Sequence, residues 1–242
     1  ALWRLGDGEP AMEHFRRVLE ARPDDAAACI GLSLCLRGLV PAVHNPAIEA
    51  ALLTCFASGA VRHQDLARTA AVVLKLKHGI GPVADAEAAL ASALDLSRDP
   101  LFRALMTQTV NIDRDLELLL NGVRRTLLLA PAPGPDRLPL ISLLAVQGFN
   151  NAYVSWLDDD EAEALAALAA ERPTTGKAPL DSEQQERLLR TALYAPLADR
   201  ADAPALAAIA GQVVGLHVAG FEVVLVEHVT HATEIVFCGG PV

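Results

Sequence analysis

The sequence predicts a mainly α-helical protein, built of antiparallel helix pairs stacked in an α-solenoid-like bundle, with a short β segment at its C-terminus. Three observations predict it. Apolar residues make up 52% of the chain but aromatics only 4%, so the core has to come from Ala, Leu and Val; Ala and Leu are the strongest helix formers. Apolar positions recur at helical spacing in one segment after another, between capping residues, prolines and glycines. Dense β-branched runs are confined to residues after about Leu216.

The first complete helix carries Met12, Phe15, Val18 and Leu19 on one side and Glu13, Arg16, Arg17 and Glu20 on the other. Pro23 stops it, and a more apolar helix with Cys29, Leu32 and Leu36 follows. Asn45-Pro46 and Asp99-Pro100 each place a capping side chain before a proline at the first helical position, opening helices to about Phe56 and about Val110. Between them, residues 64–77 are apolar at Leu66, Ala70, Val73, Leu74 and Leu76. Lys75, Lys77, His78 and then Gly79 read as that helix's stop. An Ala-rich helix over residues 84–96 precedes Asp99. Over residues 113–129, Leu116, Leu119, Leu120, Val123 and Leu127 form one stripe. Asp113, Asp115 and Glu117 sit at the positive end of this helix, Arg124 and Arg125 at the negative end.

Residues 131–139 hold four prolines and a glycine and read as a loop. It delivers the chain to residues 138–157, expected to be one central helix. That segment is apolar on every side as far as Val146, the mark of an element surrounded by others. Gln147, Asn150, Asn151 and Tyr153 then introduce hydrogen-bonding groups, before Val154, Trp156 and Leu157 resume the apolar pattern. Phe149 is expected in the core. The polar group either knits the core or faces a partner, since buried amides must find hydrogen bonds. Asp158 with Glu161 opens a helix to about Ala170. After a loop at residues 173–179, Asp181 with Gln184 opens a helix through Tyr194, and Pro204 another to about Leu216. Two strands follow, around Val223 to Val226 and Glu234 to Phe237. The expected partition is a repeat over residues 1–40, a helical region over 41–216 and a two-strand segment over 217–242.

A formal net charge of −10 argues against a sequence-independent hold on nucleic acid or on an anionic membrane, both of which need a cationic surface. Cys29, Cys35 and Cys55 lie inside apolar helical patterns, where reduced thiols act as small hydrophobes; a reducing compartment, the cytoplasm, is expected. No run of about 18 apolar residues suits a bilayer, and no signal peptide is visible. The sequence begins at Ala1 partway through a helical pattern, so a fragment of something longer is expected.

Candidate chemistry is sparse. His228, His231 and Cys238 suit zinc only on a helix; in a strand the odd offset sends the two imidazoles to opposite faces, and a fourth ligand is lacking. The run Asp158, Asp159, Asp160, Glu161 reads as capping and dipole charge. Residues 234–241, EIVFCGGP, have a strand and two glycines, but no helix and no acidic partner for a cofactor ribose. No catalytic, cofactor or metal residues are therefore expected.

Residues 6–36 resemble the tetratricopeptide repeat family. Gly6 falls at the small turn, Ala11 and Phe15 at the small and large packing positions of the second helix, and Pro23 at the stop. Cys29, Leu32, Ser33 and Leu36 stand where the family has Trp, Leu, Gly and Tyr. Peptide-clamping members grip a terminal carboxylate with Lys and Asn. The corresponding positions here are Ala27, Ile30, Gly31 and Leu34, all apolar, which argues against that clamp and leaves Ile30 and Leu34 as apolar contacts for a partner.

Residues 99–129, 141–157 and 188–197 together resemble the helical region that precedes the catalytic domain in bacterial tetratricopeptide-linked methyltransferases, a group that includes protein-lysine methyltransferases. The Cys-Phe-Leu-Asn-Glu-Tyr run of that group reads here Gly148, Phe149, Asn150, Asn151, Ala152, Tyr153, without the acid. The resemblance implies a non-catalytic region that recruits a protein partner or an adjacent catalytic domain. Ile30, Leu34, Gln147, Asn150, Asn151 and Tyr153 are its candidate contacts. The alternative is the N-terminal part of an S-adenosylmethionine-dependent methyltransferase whose sheet begins near Phe221.

Overall fold

The computed structural model describes residues 8–81, 86–129, 137–154, 157–170, 182–196, 216–218, 221–228 and 232–238, the last three as backbone alone. The protein is mainly helical. Among the described residues lie α1 (Gly8–Ala21), α2 (Ala26–Leu36), α3 (Pro46–Phe56), α4 (Ala67–His78), α5 (Ala86–Leu96), α6 (Pro100–Gln108), α7 (Arg114–Leu129), α8 (Leu138–Asn150), α9 (Asp159–Ala170) and α10 (Ser182–Ala192). The chain groups into two compact units. The first comprises Ala1–Val83 and Asp95–Leu119, the second Ala84–Leu94 and Leu120–Val242. α2 lies against α3 as well as α1.

In the first unit, α1 and α2 pack against each other across a four-residue connection. Asp25 starts α2 by accepting the Ala28 N–H at 2.9 Å. A side chain at Gly31 would lie 2.4 Å from the Phe15 ring, so the bare glycine is what lets that ring close onto α2. The inward face of α2 is Ala28, Cys29, Leu32 and Leu36, and that of α3 is Ile48, Ala51, Leu52, Cys55 and Phe56. Thr69 of α4, fully buried, satisfies its hydroxyl by donating to the Leu36 carbonyl at 2.7 Å. The segment expected as one helix from residue 64 opens instead with a 3₁₀ turn, His63–Leu66. Gln64 is held there by exchanging hydrogen bonds with the Val110 backbone, donating at 3.2 Å and accepting at 2.8 Å. Gly79 ends α4 as expected, with a left-handed φ of 63°. On α6, Leu101, Phe102, Leu105 and Met106 face inward.

In the second unit every residue of α8 from 140 to 148 is buried, so the fully apolar pattern does mark an enclosed helix. Its start and its end differ from expectation. Pro139 belongs to the first turn of α8, where its missing N–H costs nothing, and not to a loop. The helix stops at Asn150, because Ala152 and Tyr153 take left-handed backbone with φ of 52° and 54°. Tyr153 N–H then donates to the Gly148 carbonyl at 2.8 Å, closing the helix end. Gly148 itself admits α10: a Cβ there would lie 3.1 Å from the Leu193 carbonyl oxygen. Past that stop the apolar pattern turns outward. Phe149 is 43% exposed and Val154 80%, and Leu157 is exposed too. Gly6, Trp156, Asp181, the helix expected from Pro204 and nearly all of the two proline-rich loops lie outside the described residues.

Two phenylalanines in different surroundings test this core. Phe102→Ala is expected to cost about 3 to 5 kcal/mol, the usual loss for a fully buried aromatic. Phe149→Ala is expected to cost under about 1 kcal/mol, as at an exposed site. Urea unfolding of the two variants measures both; equal losses would contradict this assignment of the core.

Candidate functional site

The candidate contacts of the first unit lie on α2. At about 100° per residue, Ala27, Ile30 and Leu34 fall within one narrow arc opposite Cys29, Leu32 and Leu36. The structure agrees: Ile30 is 44% and Leu34 39% exposed, while the opposite arc is buried. On another side of α2, Cys35 lines an open apolar cavity of about 390 Å³ together with Met12, Leu39, Val43 and Ile48. Its thiolate form is disfavoured. Burial raises the pKa of Cys35, and burial reinforced by the neighbouring Cys29 and Cys35 pushes that of Cys55 up to about 12. The surface suits apolar contact.

The ionic groups of this unit are tied to one another. Asp99 caps α6, with Oδ1 accepting from the N–H groups of Leu101 at 2.8 Å and Phe102 at 3.1 Å. Its Oδ2 accepts from Lys77 Nζ at 2.7 Å and faces His78 Nε2 at 2.8 Å. Lys77 also donates to Glu49 at 2.6 Å, and Glu49 faces His44 Nε2 at 2.7 Å. Burial alone would raise the pKa of the Asp99 carboxyl, but Lys77, His78 and the α6 N–H groups outweigh it and hold it below the usual range. For Glu49 likewise, Lys77 and His44 outweigh burial and lower the pKa. Lys75 is engaged separately, with Asp113 at 2.7 Å and Asp115 at 2.9 Å. Sequence spacing identified Asp99 as a cap and the lysines as a helix stop. Their meeting, across more than 20 positions, carried no local signal.

In the second unit the polar group of α8 divides. Gln147 is fully buried, and its amide oxygen accepts from Arg124, which also donates to Asn121 at 2.8 Å. Gln147 is thus an internal group and not an outward contact. Arg124, expected as a cation at the negative end of this helix, is only 3% exposed. Asn150, Asn151 and Tyr153 are half-buried at the helix end, with the Tyr153 ring edge-on to Phe149 at 6.4 Å. The acidic start of α9 holds Arg125, which pairs with Asp158 at 3.0 Å, with Asp160, and with Glu161 at 3.4 Å. Glu161 also returns a bond to the Asp158 N–H at 3.0 Å, the reciprocal half of a capping box. Buried Tyr194 donates to Glu161 at 2.9 Å; burial and that carboxylate raise its pKa, so the phenol stays protonated.

Among the described residues no three His, Cys, Asp or Glu side chains converge to hold a metal ion, and no helix is long and apolar enough to cross a membrane. The side chains of His228, His231 and Cys238 lie outside the described set.

Removing the Asp99 carboxylate takes away a helix cap and the shared acceptor of two cationic side chains. Asp99→Ala is therefore expected to lose about 1 to 3 kcal/mol at pH 7. Because the Asp99 and Glu49 pKa values are depressed by folding, their contribution is full above the ordinary carboxylate range near pH 4 and declines as pH falls below it. Urea midpoints at pH 7 and pH 3 check this, and the variant should show a shallower acid loss than the parent.

Compared with known proteins, the chain matches no family model, no curated protein and no solved structure.

Proposed function

We propose that this chain is a non-catalytic helical interaction region of a bacterial cytoplasmic protein, recruiting a protein partner or an adjacent catalytic domain, in the manner of tetratricopeptide-linked methyltransferases. One observation carries the reading. A helix whose inner arc is packed keeps Ile30 and Leu34 exposed on its outer arc. Clustered exposed apolar surface is costly to leave uncovered and marks a place for a partner.

The finer architecture belongs to the same proposal: stacked antiparallel helix pairs ending in a short β segment. The α1–α2 pair, with Phe15 seated on Gly31, supports the repeat. The β-branched runs after about Leu216 are what suggest the β segment.

A photo-crosslinking residue in place of Ile30 or Leu34 is expected to give a discrete protein adduct in cells, and one in place of exposed Glu20 none. Adducts at neither apolar position would remove the basis for the reading. Calorimetric titration with S-adenosylmethionine should show no saturable heat. Stoichiometric micromolar binding would overturn the non-catalytic assignment and favour a working cofactor site.

A further inference from the structure

The outer arc of α2 is complementary to itself. The helix has 11 residues and no charge among them, and the ionic groups at its two ends are opposite in sign. Before it, Arg22 is taken up by Asp25 at 3.0 Å, which leaves exposed Asp24 as the uncompensated charge of the start. After it, Arg37 keeps a side chain 60% exposed and meets Asp65 only at 3.7 Å, so its guanidinium has donors to spare for a second acid. Between these ends Ala27, Ile30 and Leu34 are exposed at spacings of three and four, the pattern by which one helix seats on another.

We infer that this arc pairs antiparallel with the same arc of a second copy, Ile30 of each lying on Leu34 of the other and Arg37 of each meeting Asp24 of the other. A two-fold axis midway between Ile30 and Leu34 generates this pairing. At 1.5 Å per residue Arg37 stands about 7 Å and Asp24 about 12 Å from that axis, on the same side once one helix is reversed, and the gap of about 5 Å is within reach of an arginine side chain.

Charge selects this occupant and this orientation. A parallel arrangement would set Asp24 on Asp24 and Arg37 on Arg37, whereas the antiparallel one matches both ends and opposes the helix dipoles. Nucleic acid or anionic lipid would need a cationic surface, and the helix offers 11 uncharged residues instead. One helix arc is smaller than an obligate interface, so the dimer is a weak one that forms in the micromolar range and above. The inference rests on the interaction-region reading and names the partner of its α2 surface.

Sedimentation equilibrium of the full chain from about 5 to 500 μM measures it, with a shift from one copy toward two expected. Ile30→Ser/Leu34→Ser should weaken the association by about tenfold or more. Asp24→Arg alone sets Arg37 against another arginine, and Arg37→Asp alone sets Asp24 against another aspartate, so each variant should stay monomeric. An equimolar mixture of the two restores opposite charges at both contacts and should dimerise again, an outcome that a structural effect of either substitution does not give. A chain monomeric throughout this range overturns the proposal. So does a dimer that survives Ile30→Ser/Leu34→Ser, or a mixture that remains monomeric. Should the chain stay monomeric while crosslinks at Ile30 or Leu34 capture a different protein, the self-pairing falls and the interaction-region reading stands.

Discussion

Asp99 is the carboxylate on which the helices of the first unit converge. One oxygen completes the start of α6, and the other receives Lys77 and faces His78 at the end of α4. Through Lys77 the link extends to Glu49 on α3. The N-cap of α6 is thereby also the acceptor for the cationic side chains in the last turn of α4. The apolar packing of Leu52, Leu74, Phe102 and Leu105 fills the space between elements whose ends are already tied. Burial supplies the driving force, while the ionic chain contributes the register in which α3, α4 and α6 meet.

The second unit handles polarity differently. A guanidinium placed near the core by α7 could not remain there without acceptors, and the Gln147 oxygen on α8 and Asn121 on α7 provide them. Next to it in sequence, Arg125 reaches the start of α9, where three carboxylates share its charge. One of them, Glu161, also accepts from Tyr194 just after α10. Two consecutive arginines thus serve two different neighbours. What looked like a matched helix end is a pair of interhelical ties.

The thiols of Cys35 and Cys55 are held protonated by burial, the Tyr194 phenol is likewise held neutral, and the depressed carboxylates of Asp99 and Glu49 are engaged by cations. Exposed apolar side chains include those on the outer arc of α2 and at the end of α8. Such surfaces suit recognition by contact, which is why the functional proposals concern partners and the chemistry of their side chains.

The helical class, the starts of α3 and α6, the stop at Gly79 and the buried run of α8 were all legible in the sequence. Each depends on residues within one or two turns: a cap before a proline, a glycine after lysines, an unbroken apolar stretch. The exposure of Ile30 and Leu34 was legible for the same reason, as the outer arc of a helix whose inner arc is apolar. Where α8 ends was not. A helical wheel has no means of showing that Ala152 and Tyr153 turn left-handed, and so it carried Phe149 and Val154 inward when they face water. Nor could spacing show Arg124 meeting Gln147 or Lys77 meeting Asp99, since pairs 23 and 22 positions apart are joined only by how the helices pack. By itself the sequence determined where helices form, because that is decided by local hydrogen bonding and periodicity; only the tertiary structure decided which charges are buried and which apolar groups stay outside, because those depend on neighbours distant in the chain.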